Sequence, residues 1–397
     1  MNRILARTLS AFLLSAILIT PTFAAEPGTP VTGQDSTITW DSLEERIRAG
    51  SLNTQAFSEN IQSIGAINYE KMEDDLRKQL NTIADAQWYM ITSGNSAGAD
   101  ALDQTYDALR ETFDDLRDGT LQEDHADTVR QLEDAIDQVV ATGQSLYINL
   151  ISMEQSLQDA SRGLETLDRS LSELRLRQEL GQVSAQTVLE LEQTRAETVY
   201  QMETLESTIA TYKGKLQQLM GEESTGDLVL TPLPELSGEE LLLLNPEEEL
   251  SSAKEKSWAL RSAQITLDDA QEQWKEDRSD YSSTSYKYAV AEHTWKAAQL
   301  TYQAAVQDFE TSFRTLYQSI LDGQRAVMEQ ESTLAYQERQ LELAQAKYEL
   351  GQISYFEVLS AQDDLETARS AVDSARIELF TAYHNYQTAV DCGLING

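Results

Sequence analysis

Apolar residues recur at alternating steps of three and four from residue 129 to residue 174: Val129, Leu132, Ile136, Val139, Gly143, Leu146, Leu150, Met153, Leu157, Ala160, Leu164, Leu167, Leu171 and Leu174. A heptad seam held this long commits the segment to a helix that winds left-handedly around partners. The seam stops at Leu180-Gly181-Gln182, where glycine can take the left-handed conformation that closes a helix. Ser184 is placed to cap a returning helix with its own seam through Val188, Leu191, Met202, Leu205, Ile209, Tyr212, Leu216 and Leu219, and Gly221 ends it. Residues 123–221 therefore read as one antiparallel hairpin. Its outgoing arm, residues 123–180, would be about 87 Å long at 1.5 Å per residue.

The hairpin occurs twice. Phe313, Leu316, Ile320, Gly323, Val327, Leu334, Leu341 and Ala344 carry a second outgoing seam. After Leu350-Gly351-Gln352, Val358, Ala361, Leu365, Ala368, Val372, Ala375, Leu379, Ala382, Tyr386 and Ala389 bring it back. At an offset of 170, Glu179-Leu180-Gly181-Gln182-Val183-Ser184 lies over Glu349-Leu350-Gly351-Gln352-Ile353-Ser354, in the same heptad register. Generic coiled coils share a period, not a turn hexapeptide, so the chain is an internal duplication with both tips pointing one way. The expected organisation is a leader at residues 1–24, a disordered Pro/Gly/Thr-rich lead-in at 25–38, a first helical repeat at 39–221, an extended linker at 222–247, and a second repeat at 248–397. Thr39 is the expected first N-cap. Pro232 and Pro234 forbid helix in the linker, and breaks fall at Ser93–Gly98 and at Asp277–Tyr288.

Composition agrees with an all-α fold. Eighteen Gly and six Pro in 397 residues are too few for a loop-rich sandwich or barrel. Arg3 and Arg7, the apolar run Leu9–Ile19 and a small-residue stretch ending at Ala24 read as a signal peptide. Without that leader, 28 basic residues face 67 acidic ones, a net charge of −39. So acidic a surface repels nucleic acid and anionic lipid, and suits either a solvated helical face or a cation-favouring pore. The lone Cys392 has no partner for a disulfide or a zinc pair, and no later stretch reaches 18 uninterrupted apolar residues.

The second turn reads Lys347-Tyr348-Glu349-Leu350-Gly351-Gln352-Ile353-Ser354, then Glu357-Val358-Leu359, Ala361-Gln362 and Leu365-Glu366-Thr367-Ala368. With the duplication and the linker Gly226-Asp227-Leu228 to Pro234, this pattern resembles the TolC-like outer-membrane efflux family over essentially the whole mature chain. The resemblance implies a homotrimer whose hairpins form a hollow α-helical cylinder. Its tips would meet a periplasmic adaptor (membrane fusion) protein attached to an inner-membrane efflux pump or ABC-type exporter. It also implies an outer-membrane barrel with two strands inserted in each half. The break near residues 89–98 is too short for two strands of roughly 9–11 residues each. Residues 277–293 carry too many charges for an apolar band, though Tyr281, Tyr286 and Tyr288 leave room for a small hairpin. The expectation is a barrel absent or vestigial, little or no direct membrane insertion, and an extracytoplasmic, envelope location.

By resemblance, Leu180, Gly181, Gln182, Val183, Leu350, Gly351, Gln352 and Ile353 are the adaptor-contacting tips. Glu357, and Glu190 in the first repeat, are candidate acidic residues at a constricted tunnel entrance. The alternatives are an ordinary antiparallel helix turn for the former and a solvated helix face for the latter. The family's second acidic position falls on Ser360, which weakens that match. His125, His293 and His384 are scattered, and the sequence offers no Ser/His/Asp set, phosphate-cradling glycine loop or zinc signature. No enzyme, cofactor or metal is expected. An export conduit is the leading expectation; a structural coiled-coil scaffold of the envelope is the alternative.

Overall fold

The computed structural model describes residues 37–395, which belong to one compact unit, Thr37–Gly397. The predicted leader and most of the lead-in lie outside them. Strand β1 (Thr37–Ile38) opens the described chain and is followed by α1 (Trp40–Gly50), α2 (Leu52–Gly65), α3 (Tyr69–Thr92), α4 (Ser96–Asp118), α5 (Thr120–Glu179) and α6 (Ala185–Leu219). The second half holds β2 (Val229–Leu230), α7 (Gly238–Leu242), α8 (Pro246–Lys256), α9 (Trp258–Asp280), α10 (Tyr286–Glu349) and α11 (Tyr355–Cys392). The fold is all-α, with two long antiparallel hairpins, α5–α6 and α10–α11. At 60 and 64 residues, the outgoing arms are about 90 and 96 Å long.

Three local expectations are corrected. Thr37 and Ile38 are not lead-in: they pair in parallel with Val229 and Leu230, and Ile38 is fully buried. The linker is not extended throughout, because Ser237 and Glu240 form a capping box that starts the short helix α7. The polar break at 277–288 shrinks to residues 281–285, with no tyrosine hairpin. Trp274 of α9 stacks on Trp295 of α10 at 4.5 Å, and Ser285 caps α10. These contacts hold both helices together across residues whose composition alone reads as loop. Among the described residues, β1 and β2 are the only strands.

Each repeat builds its own core midway along the molecule. In the first, Ile38, Leu43, Ile47, Val140, Tyr147, Leu150, Ile209, Leu216, Met220 and Leu228 pack together. In the second, Leu241, Leu250, Ala253, Leu260, Phe309, Phe313, Ile320, Leu379, Tyr386 and Ala389 do so. Each buried Leu, Ile or Phe contributes about 1.5–3 kcal/mol, so these clusters anchor arms whose outer stretches bury much less. A fully buried tyrosine ties down each core. The Tyr147 hydroxyl donates to the Thr231 carbonyl at 2.6 Å, holding the linker strand, and Tyr386 donates to Glu249 of α8.

The hinge between α1 and α2, Ser51, and that between α8 and α9, Ser257, are buried and extended, with φ of −65° and −66°. Each lies beside the end of a return helix. A Cβ on Gly221 would stand 2.1 Å from the Gly50 carbonyl oxygen, and one on Gly393 would stand 2.4 Å from the Ser257 nitrogen. The two halves join through Trp40, which packs edge-on against Tyr147, Phe380 and His384. Further contacts are the bidentate pair Arg261–Asp127, at 2.9 and 2.8 Å, and Arg169–Asp363 at 2.5 Å between α5 and α11.

Candidate functional site: the two hairpin tips

The two tips are built alike. In the first, Leu180 ends α5 at φ −82°, ψ 2°, and Gly181 follows at φ 72°. In the second, Leu350 ends α10 at φ −82°, ψ 0°, with Gly351 at φ 69°. The Gly181 N–H donates to the Gln178 carbonyl at 2.9 Å and the Gln182 N–H to the Arg177 carbonyl at 2.8 Å. In the second tip the Gly351 N–H donates to Tyr348 at 2.8 Å and the Gln352 N–H to Lys347 at 2.9 Å. This pair of bonds is the Schellman motif, which satisfies the last helical carbonyls and requires a left-handed residue at the glycine position. Ser184 and Ser354 then cap α6 and α11, accepting from the Thr187 and Glu357 backbone N–H groups. Val183 and Ile353 precede these caps, with buried Val188 and Val358 at the fourth helical positions. That is the spacing of a hydrophobic staple, which fixes how the chain enters the helix.

Local geometry accounts for the glycines, serines and staple residues. It does not account for the two leucines. Leu180 is 65% exposed and Leu350 73% exposed, at the outermost point of each turn. Gln182 and Gln352 are exposed beside them. The second tip adds aromatics that sequence reasoning missed: Tyr348, Tyr355 and Phe356 are all about half exposed, and the rings of Tyr348 and Tyr355 lie 5.7 Å apart. The first tip has Ala185 and Gln186 where the second has Tyr355 and Phe356. Placing the two copies over each other could have revealed this difference.

The acidic candidates separate. Glu357 completes a capping box, its carboxylate accepting from the Ser354 N–H at 2.7 Å and hydroxyl at 3.0 Å. These bonds, the backbone one foremost, hold its pKa below the usual carboxylate value. It also lines a groove of about 430 Å³ between α10 and α11, with Tyr336, Gln340, Leu343, Lys347, Ile353 and Asp364. Glu190 lies exposed on α6 and accepts from Gln186 at 3.1 Å. In the first repeat Thr187 occupies the position of Glu357, and its hydroxyl meets that of Ser184 at 3.0 Å. The structure therefore brings Glu357 together with Ile353, and it leaves Glu190 exposed on α6. Crossing ion pairs brace the arms behind the tips: Arg195–Asp168 at 2.5 Å and Arg175–Glu192 at 2.6 Å within the first hairpin, and Arg169–Asp363 between hairpins.

The histidines stay apart. The Tyr69 hydroxyl and His125 Nδ1 share a hydrogen bond of 2.8 Å, while His384 is half-buried, edge-on to Trp40 at 5.0 Å. No group of three or more His, Cys, Asp or Glu among the described residues is arranged to hold a metal ion. No described helix is long and apolar enough to cross a membrane.

No family model matches the sequence, and no curated protein is similar to it. Solved structures do match. The outer-membrane channel OprN is 12% identical with a TM-score of 0.56, over 94% of this chain and 99% of that one. A membrane protein from Pseudomonas aeruginosa is 13% identical with a TM-score of 0.54, over 93% and 96%. The outer membrane protein VceC from Vibrio cholerae is 13% identical with a TM-score of 0.52, over 88% and 95%. At such low identity the likeness establishes architecture: this chain has the tandem-hairpin, TolC-like helical fold of those proteins.

Proposed function

We propose that the chain is a TolC-like conduit subunit of the cell envelope, exported and then assembled as a homotrimer around a helical tunnel. Its two tips dock onto an adaptor protein carried by an inner-membrane efflux pump or ABC-type exporter. The observation that carries this reading is the pair of matching Schellman turns. Each holds a large leucine out in water, and such exposed apolar points invite a covering partner. The likeness in fold to outer-membrane channels supports it, and so does the sequence resemblance of the second tip. Glu357 and, less centrally, Glu190 are the residues proposed for the tunnel entrance, where three copies around an axis would concentrate negative potential and favour cations.

The first test is the solution mass of residues 25–397 by light scattering without detergent, followed by imaging. A trimer with a central lumen is expected. A monomer, or a trimer whose seam residues fill the centre, rejects the conduit. A trimer should then capture the adaptor encoded in the same cell, and Leu180→Ser with Leu350→Ser should abolish capture while leaving helicity intact. The scaffold alternative draws on one observation, helical turns in both halves where the resemblance calls for spanning strands; the lumen decides between the two.

A further inference from the structure

The linker between the repeats holds two leucines out in water. The capping box of Ser237 and Glu240 starts α7, and Leu241, with Leu236 and Leu244 packed beside it, anchors this short helix in the second core. Leu242 and Leu243 stand outside that core, 85% and 81% exposed, more than Leu180 or Leu350 at the tips. Glu239 precedes them by three and four residues and so shares their side of the turn. Glu247 and Glu248 follow in the first turn of α8, and all three glutamates are exposed. From residue 216 to residue 253 the sequence has no Lys or Arg. Residues 25–36, which precede the first repeat, contain no leucine, so the pair belongs to one half of the duplication.

We propose that Leu242 and Leu243 dock a cationic amphipathic segment of another protein. Its apolar side chains cover the two leucines, and its Lys or Arg residues meet Glu239, Glu247 and Glu248. An anchored apolar pair with a polar rim is the form of a protein contact, and the sign of the rim selects the partner's charge. The same rim turns other occupants away. Anionic lipid is repelled. The chain's own residues 25–36 carry Glu26 and Asp35 but no cation. A second copy has few cations to offer, because most of its Lys and Arg already sit in ion pairs with its own acids, among them Lys254 with Glu310 and Arg376 with Glu331. The inference goes beyond the conduit reading and does not depend on it.

The test uses the chain without residues 1–24, which keeps the unit Thr37–Gly397 whole. The probe is a fluorescein-labelled amphipathic 14-residue peptide of Leu and Lys, carrying one photoreactive side chain, and binding is read by anisotropy. The parent chain should bind it, and photolabelling followed by mass spectrometry should mark residues 238–248. A peptide with Glu in place of Lys should not bind. Combining Leu242→Ser with Leu243→Ser should weaken binding about tenfold, through lost apolar contact at unchanged net charge. That variant separates docking from the general attraction of a cation to an acidic chain. Combining Glu239→Gln, Glu247→Gln and Glu248→Gln should weaken binding several-fold and flatten its dependence on salt. Helicity by circular dichroism should not change, since the substituted side chains stand in solvent. No binding by the parent, equal binding by the leucine variant, or labelling confined to other segments overturns the proposal. So does a leucine variant that differs from the parent in solution mass, which would assign the pair to a second copy, or a parent that sediments with neutral vesicles when the leucine variant does not. Adaptor capture at the tips should be the same in parent and leucine variant, so either proposal can fail while the other stands.

Discussion

Gly181 and Gly351 turn the chain at the tips; Gly221 and Gly393 turn it where the return helices reach the central cores. All four are left-handed, at φ 72°, 69°, 70° and 68°. Around the first pair nothing lies within 4 Å of where a Cβ would be. Around the second pair the backbone of a hinge lies inside contact distance. The same local device therefore serves two ends. At the tips it shapes a free surface and presents Leu180 and Leu350 outward. In the middle it lets a helix end press against the Gly50–Ser51 or Lys256–Ser257 hinge and close a core. The tips are built for exposure, the middle for close approach.

The sharpest way to break this comparison is to add one carbon at each place. Gly221→Ala or Gly393→Ala meets both left-handed strain and a backbone collision, and should cost about 3 kcal/mol or more in denaturant unfolding. A cost below about 1.5 kcal/mol would mean the hinge contact yields easily, and the contrast with the tips would collapse.

The second test is titration, because the middle holds a half-buried ionisable group. Burial against Trp40 holds the His384 pKa down to about 4 from 6.5, a shift that the nearby Glu44 only partly opposes. Above pH 6.5 the folded and unfolded imidazoles are both neutral, and His384 adds no pH dependence. Between pH 6.5 and about 4 the unfolded chain binds a proton that the folded chain refuses, so stability falls as pH falls. The total loss is about 3 kcal/mol at 1.36 kcal/mol per pKa unit. His384→Gln should remove that slope from a series of unfolding curves between pH 7 and 4. If both proteins lose stability in parallel, carboxylates elsewhere set the acid response.

The smallest expected effect is at the tips. Gly181→Ala and Gly351→Ala should each cost about 1 kcal/mol, the left-handed penalty alone, and the two should agree closely. A much larger cost at one tip would reveal a tertiary contact beyond the Schellman turn.

Much of this was legible in the residues. The steps of three and four marked both hairpins, and Leu-Gly-Gln followed by Val/Ile-Ser marked both turns, with Ser184 read as a cap. These features are local: a seam, a left-handed glycine and a cap are each specified within a few residues. Glu357 reads from sequence as an acidic residue beside a turn. Its capping box needs only the Ser354 spacing, while the groove it lines needs two helices side by side.

Other features escaped because their cause lies far along the chain. Thr37–Ile38 looked like a loose lead-in, yet Ile38 is buried by a strand pairing with residues 229–230. The polar run after Asp277 looked like loop, yet a tryptophan stack between Trp274 and Trp295 keeps it helical on both sides.

The sequence by itself thus determined the period, the duplication and the two tips, since helix, cap and turn energetics act over one or two turns of chain. Only the tertiary structure decided which glycines bear on a backbone, which histidine is desolvated enough to hold its pKa down, and where aromatic side chains are left in solvent. Those outcomes depend on which distant segments meet, and burial is a property of the meeting, not of the residue.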